Sequence, residues 1–364
     1  MSICQFLVVD LYELKIIRLG LLLIKLSLSP VILLQTYLFL EKFELNYFVQ
    51  YAPLYIAALY TLMCVFSQSY ITDITKKVHE IQIWKIEDAP EEIQEKMKKV
   101  WFIITLSIFL SIVSSFVIFI SYVLPTPQDN DFIFYLKMVN EYLPQFETPI
   151  VWCLMKPAVF GLAYLSVSIP AFTIYYYHGH ISLQMYMLKH YLRNINPHAS
   201  GANYHQEVKE NLLFCIKRES FRCGFKILGR AQVFVFPFQV GGIASMAGIL
   251  LLCFTFEGSL SSQYFRLAAH VLSMIIILVG CVVSGQGIED LSPEIFETLC
   301  ELDWCNWDQR NKRIYLIFLT STNKMFKIKY SDNISLNYEL GIQQIKAVFS
   351  AMSIIYSLQR QNVN

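Results

Sequence analysis

The chain has 364 residues, 55% of them hydrophobic and 16% charged, with 27 Phe, 22 Tyr and 5 Trp. Soluble domains carry about 25% charged residues, so this composition argues against a water-soluble enzyme and for a membrane protein. A net charge of +1, with no Gly-rich phosphate loop, no Lys/Arg-rich arm and no paired-cysteine metal site, gives no basis for nucleic-acid binding or a cofactor.

The first twenty residues, MSICQFLVVDLYELKIIRLG, hold acidic groups inside an apolar run and no small-residue cleavage site. They read as an amphipathic interfacial helix and not as a cleaved leader. Seven apolar segments then follow, at 19–40, 50–70, 100–123, 150–177, 231–256, 266–286 and 338–358. Each is near the ~20 residues that cross a hydrocarbon core. The third, starting at Trp101 and ending at Tyr122, is uncharged between its two interfacial aromatics. The nine cysteines, at 4, 64, 153, 215, 223, 253, 281, 300 and 305, are dispersed and read as unpaired thiols.

The connections are unequal. Segments 71–99, 178–230 and 287–337 are long and carry six, eight and six Lys/Arg; with Lys15 and Arg18 they hold 22 of the 29 basic residues. The positive-inside rule then places the N-terminus and these segments in the cytosol and the C-terminus outside. The long segments read as folded. Residues His178–Asn194 continue the fourth span as helix, Gln206–Arg230 form a second amphipathic helix, and Ser292-Pro293-Glu294 reads as a helix start. The expected division is a six-helix bundle over 1–286, a cytosolic segment over 287–337 and a last helix with its tail over 338–364.

That last helix, SLNYELGIQQIKAVFSAMSIIYSLQ, has a polar stripe. Gln343, Ala347, Ser350, Ile354, Ser357 and Gln361 share one face, opposite Ile342, Ile345, Phe349, Met352 and Tyr356. Lipid cannot satisfy a polar stripe, so this face meets protein or water. One reading is close helix packing, with Gln343 and Gln344 pairing to neighbours. The other is a pore lining in which Ile354 and Leu358, one turn apart, form a hydrophobic constriction. Lys346 would pair with Glu339 or snorkel. No nucleophile–base pair can be assembled within the spans, so the chain is not read as an enzyme. His178 and His180 lack Cys or acidic neighbours at ligand spacing, so no metal is assigned.

The segment Glu301-Leu302-Asp303-Trp304, with Arg310, Lys312-Arg313 and IYLIFLTSTNK, leads into the last helix, where Tyr338-Glu339, Lys346 and Phe349-Ser350 recur. These residues resemble the C-terminal pattern of insect odorant receptors: an acidic-x-x-Trp, a basic helix, and a last helix of the form Leu-Glu-x-Phe-x-x-x-x-Lys-x-x-Tyr-Ser. Gly341 stands where an aromatic is usual, and Phe349 where Tyr is usual. The Thr-Tyr…Gln-Phe signature of the gustatory relatives is absent from this helix. The specific motifs cover about the last 65 residues, and the seven spans and inverted topology extend the resemblance along the chain.

The resemblance implies an all-α, seven-span subunit of an odorant-gated, nonselective cation channel. It implies a tetramer with a shared odorant co-receptor, with no G protein required. It also implies a last helix lining the pore, with Ile354 and Leu358 at the gate and Gln343 and Ser350 along the path. A small volatile would bind in the outer half of the bundle, where Tyr51, Tyr55, Phe116, Phe119, Tyr122, Phe160 and Tyr164 supply aromatic walls and Ser115 a hydroxyl. A gustatory channel of the same superfamily is the nearest alternative. The other is a non-channel seven-helix receptor or transporter, although no internal repeat of the transporter kind is found.

Overall fold

The structure, a computed structural model, describes residues 6–7, 10–41, 45–81, 84–124, 126, 129, 133–134, 137, 149–195, 203–219, 242, 246, 261–323, 326–329 and 334–363. Among the described residues a 3-10 turn, Asp10–Glu13, precedes eight α-helices. They are α1 (Lys15–Glu41), α2 (Leu45–Ile81), α3 (Glu91–Val123), α4 (Pro149–Arg193), α5 (Tyr204–Glu219), α6 (Ser261–Cys300), α7 (Gln309–Thr322) and α8 (Tyr338–Val363). Among the described residues there is no strand beyond an isolated antiparallel bridge between Lys329 and Ser335. The fold is all-helical, as expected.

Among the described residues four stretches are long and apolar enough to cross a membrane: Lys15–Glu41, Gln50–Asp73, Glu91–Val123 and Tyr264–Cys300. They match the expected first, second, third and sixth spans. The expected fourth and seventh lie in α4 and α8, and 231–256 lies outside the described residues. Helices α2, α3, α4 and α6 have 37, 33, 45 and 40 residues, well over the ~20 that span a bilayer core. Parts of the charged segments are therefore helix extensions: 71–81 continue α2, 91–99 open α3, 178–193 continue α4 and 287–300 continue α6.

Helix α4 is the hub, packed by α6, α3, α2, α1 and α5. From Pro170 to Gln184 every residue is buried, so this length is covered on all sides. The Tyr175 hydroxyl donates to the Ile277 carbonyl of α6 at 3.4 Å. Gly280 makes that approach possible, since a Cβ there would sit 2.2 Å from the hydroxyl oxygen. The turn between α2 and α3 is tied to the same helix: Gln184 donates to the Trp84 carbonyl (3.0 Å) and accepts its N–H (3.3 Å).

One expectation is corrected, and two are met only over part of their length. Ser292-Pro293 does not start a helix, because α6 runs through Pro293 to Cys300. The buried row Ile288, Leu291, Ile295 and Leu299 continues at helical spacing across the proline, and its packing outweighs the lost Pro293 hydrogen bond. Ser292 is buried, and its hydroxyl accepts the Phe326 N–H instead of capping a helix. The helix expected over Gln206–Arg230 is Tyr204–Glu219, with 220–230 outside the described residues. Near the N-terminus, residues Asp10–Glu13 form a 3-10 turn whose Tyr12 is buried against Leu21, Ile24, Val65 and Ile71. Phe6 and Leu7 are helical, and residues 1–5 and 8–9 of the expected interfacial helix lie outside the described residues.

Beyond the spans, local chemistry sets the ends. Asp308 caps α7 by accepting the Asn311 N–H at 2.7 Å, and Asn337 caps α8 by accepting the Leu340 N–H at 3.1 Å. Trp307 is buried and donates to the Tyr204 hydroxyl at 3.2 Å, joining α7 to α5, while Trp304 is partly exposed and stacks on Tyr315. Both tryptophans act in packing.

Candidate functional site: the loop end of the bundle and the last helix

At the end of the bundle where α3 stops, α1, α2, α3 and α6 converge. Tyr51 is buried, edge-on to Phe134 with ring centroids 5.8 Å apart. Tyr55 meets Phe39 edge-on at 5.2 Å and shares a hydrogen bond with Thr36 of α1 at 2.7 Å. One position away, Leu54 turns toward α3 and packs on Ile118, Tyr122 and Ile133, with Ala269 of α6 beside it. The aromatic wall expected from Tyr51, Tyr55 and Tyr122 is thus split over two adjoining clusters that meet on one turn of α2.

Other expected residues are placed differently. Phe116 is 59% exposed and stacks on Phe119 at 6.2 Å, so it lies on the outside of the bundle. Ser115 is half-buried, whereas Ser114 is buried and donates to Ser273 of α6 at 3.1 Å. The hydroxyl between α3 and α6 is therefore that of Ser114, one residue from the expected position. Phe160 and Tyr164 are on α4, with side chains outside the described ones.

Sequence reasoning missed the most polar feature of this region. Arg266, at the start of the apolar part of α6, is only 2% exposed. Its guanidinium donates to the carbonyls of Ser121 (2.6 Å) and Leu124, to the Asp129 carboxylate (2.5 Å) and to the Thr126 hydroxyl (3.4 Å). The group also lies 5.3 Å from the centroid of Tyr122. Helix α3 ends just before Pro125, which has no N–H, so the Ser121 carbonyl loses its i+4 donor. Arg266 supplies that donor from another helix and adds positive charge at a helix C-terminus. A Pro two residues past a helix end, followed by an acidic residue, was the available signal. Its partner is 137 residues away.

His270, one turn after Arg266, stands edge-on to Tyr122 at 6.0 Å. Ser273 follows, facing Ser114. Helix α6 therefore offers Arg266, His270 and Ser273 in sequence to an otherwise apolar, aromatic interior. Such a lining holds a ligand by shape and by single hydrogen bonds. Among the described residues no group of three His, Cys, Asp or Glu could hold a metal ion.

Helix α8 has three faces. Leu340, Gln344 and Val348 are buried against the bundle, with Ala351 and Met352 half-buried beyond them. The polar stripe is exposed at Gln343, Ala347, Ser350, Ile354 and Ser357, as is the apolar row Ile342, Ile345, Phe349 and Tyr356. Periodicity alone did not find the buried face, which lies between the other two. Leu358 is on the helix, its side chain outside the described ones. The expected pairing of Lys346 with Glu339 is not made: Lys346 is exposed and Glu339 accepts from Gln343 at 3.2 Å. Four residues separate Glu339 from Gln343, one helical turn, whereas seven separate it from Lys346.

The family model for 7tm odorant receptors matches residues 45–340. The chain belongs to that family. Its fold is similar to that of the insect olfactory receptor OR5 from Machilis hrabei in complex with eugenol, with a TM-score of 0.66 over 96% of this chain and 89% of that one. A second structure of OR5 from Machilis hrabei gives a TM-score of 0.56 over 83% and 79%. Sequence identity is 8% in both, so the likeness is one of fold. No curated protein matches by sequence. This odorant receptor is thus a membrane protein of the seven-helix insect type.

Proposed function

We propose that this odorant receptor is the odorant-binding subunit of a heteromeric, odorant-gated, nonselective cation channel, working with the shared co-receptor in the plasma membrane of olfactory neurons. The observation that carries the reading is the uncovered stripe of α8. Gln343, Ser350, Ser353 and Ser357 are exposed on a helix that elsewhere presents an apolar row and a mainly apolar buried face. Gln343 donates to Glu339, and Ser353 and Ser357 to carbonyls of their own helix; lipid cannot meet the polar capacity that remains along this stripe, which calls for water or further subunits. Lining a pore between subunits meets that need, with Ile354 and Leu358 as the hydrophobic gate.

The ligand is a small, mostly apolar volatile, in keeping with the eugenol bound to the Machilis receptor. It would sit in the outer half of the bundle, near Tyr51, Tyr55, Tyr122, Phe160 and Tyr164, with Ser114 and His270 as polar partners. Binding favours the state in which the last helices stand apart, and it needs only a higher affinity for that state. The N-terminus and helix extensions lie in the cytosol, 287–337 anchors the subunits, and neither a G protein nor catalysis takes part.

The test is whole-cell current from cells expressing this chain with the co-receptor, G-protein signalling blocked, under a panel of volatile esters, terpenes and aldehydes that includes eugenol. Inward cation current altered by Ile354→Ala or Leu358→Ala is expected. A receptor at the surface that conducts identically with both substitutions would remove α8 as the gate. Asn333-Ile334-Ser335 is a glycosylation sequon that lies in the cytosol in this orientation, so a glycosidase-sensitive gel shift there would reverse it.

A further inference from the structure

One face of α6, carrying Val282, Gly285, Gln286, Glu289 and Ser292, seats the segment that joins α7 to α8. Gly285 receives the Leu336 backbone so closely that a Cβ there would lie 2.1 Å from the Leu336 carbonyl oxygen. The segment folds back on itself through the Leu336 N–H to the Ile328 carbonyl (2.8 Å). Glu289 then holds both arms of this loop. Its Oε1 accepts from Lys327 Nζ at 2.5 Å and its Oε2 from Asn337 Nδ2 at 3.2 Å. One turn back, Gln286 accepts the Tyr338 N–H, the first of α8, at 3.2 Å. One turn on, Ser292 accepts the Phe326 N–H at 2.6 Å.

Asn337 is also the N-cap of α8, so Glu289 grips the residue that starts the last helix. We propose that Glu289 is the positioning residue that couples α6 to α8, so that a movement of α6 is delivered to the first turn of the last helix. The coupling role rests on the reading of α8 as the pore-lining helix; the clamp itself does not. Lys327 and Glu289 are 29% and 16% exposed at their side chains, so solvent screens the pair little. A carboxylate with two donors on opposite arms of one short loop transmits displacement, whereas apolar packing alone would let the arms slide. Glu289 touches neither the expected ligand region nor the polar stripe, so its effect is through Asn337 and Lys327.

The test uses the full-length receptor in lipid nanodiscs, followed by hydrogen–deuterium exchange. In Glu289→Ala, exchange over 334–342 should rise by about tenfold, the loss expected for a charge-assisted bond. Peptides over 175–188 should be unchanged, and the charge exchange (Glu289→Lys with Lys327→Glu), whose ammonium cannot accept from Asn337 Nδ2, should leave 334–342 loosened. If Glu289→Ala loosens 175–188 as well, Glu289→Gln, which keeps the volume, is read by the same criterion. Unchanged exchange over 334–342 overturns the clamp. In cells with the co-receptor, the half-maximal concentration for any active volatile in the panel should shift at least about threefold in Glu289→Ala and stay shifted in the charge exchange, which keeps the ion pair and loses the acceptor for Asn337. An unshifted response overturns the coupling role. Absence of current from the unsubstituted receptor counts against the channel reading, while the exchange result still decides the clamp.

Discussion

Arg266 and Asp129 form a buried ion pair, 2.5 Å between Nη1 and Oδ1, across 137 residues of chain. The same guanidinium takes the Ser121 carbonyl that Pro125 leaves without a donor, so one side chain closes α3 and fastens the residues after it to α6. Removing one partner strands a charge in a place where water cannot replace it. Asp129→Ala should therefore cost about 3–5 kcal/mol, and Arg266→Met, which also orphans two carbonyls, at least as much. The double substitution Arg266→Met with Asp129→Leu should recover part of the loss. Thermal unfolding of the purified receptor in lipid checks all three.

The two tryptophans of the segment after α6 should separate cleanly. Trp307 is buried, edge-on to Tyr315 at 5.6 Å and bonded to the Tyr204 hydroxyl. Trp304 is 40% exposed, stacked on the same tyrosine with the Lys312 ammonium 6.0 Å from its ring. Trp307→Ala empties a core position and should cost about 3–5 kcal/mol. Trp304→Ala forfeits a half-solvated stack and should cost about 1 kcal/mol. Comparable losses would show that Trp304 is covered in the assembled receptor.

Adjacent serines on α3 give a third comparison. Ser114 is buried and donates to Ser273, whereas Ser115 is half-exposed. Ser115→Ala should shift stability by no more than about 0.5 kcal/mol. Ser114→Ala leaves Ser273 short of a partner between two apolar helices and should cost about 1 kcal/mol. If Ser114 also meets the ligand, its substitution alone should move the concentration dependence of the current.

These cases show what was legible in the sequence. Apolar runs located the first, second, third and sixth spans, because length against bilayer thickness needs no tertiary knowledge. The family pattern around Trp304 and in α8 pointed to odorant receptors, and the family match agrees. Pro293 misled, since a proline in a first turn and one inside a helix look alike until the buried row on either side is known. The sequence reading names Ser115 where the buried hydroxyl is Ser114, since a step of one residue turns a helical side chain by about 100°, beyond the precision of a span boundary. Arg266 stands at the edge of the expected sixth span, and nothing within that helix marks its partner at Asp129.

His178 should make stability fall in acid. It is buried on α4 beyond the expected span, and its Nδ1 has no hydrogen-bond partner. The ring fits against α6 because position 287 is glycine: a Cβ there would be 2.7 Å from Nε2. Desolvation lowers its pKa to about 4 from the ordinary 6.5. The folded receptor therefore keeps His178 neutral, while the unfolded chain protonates it once the pH drops below about 6.5. Because the folded value is the lower one, the stabilisation is complete above pH ~6.5 and is lost progressively as the pH falls toward ~4, about 3 kcal/mol in all. His178→Phe removes the titrating group and should flatten this part of the unfolding-midpoint profile between pH 7 and 5. Gly287→Ala, by pushing the ring from its seat, should lower the midpoint at every pH. An equally steep acid slope in His178→Phe would assign the sensitivity to another group.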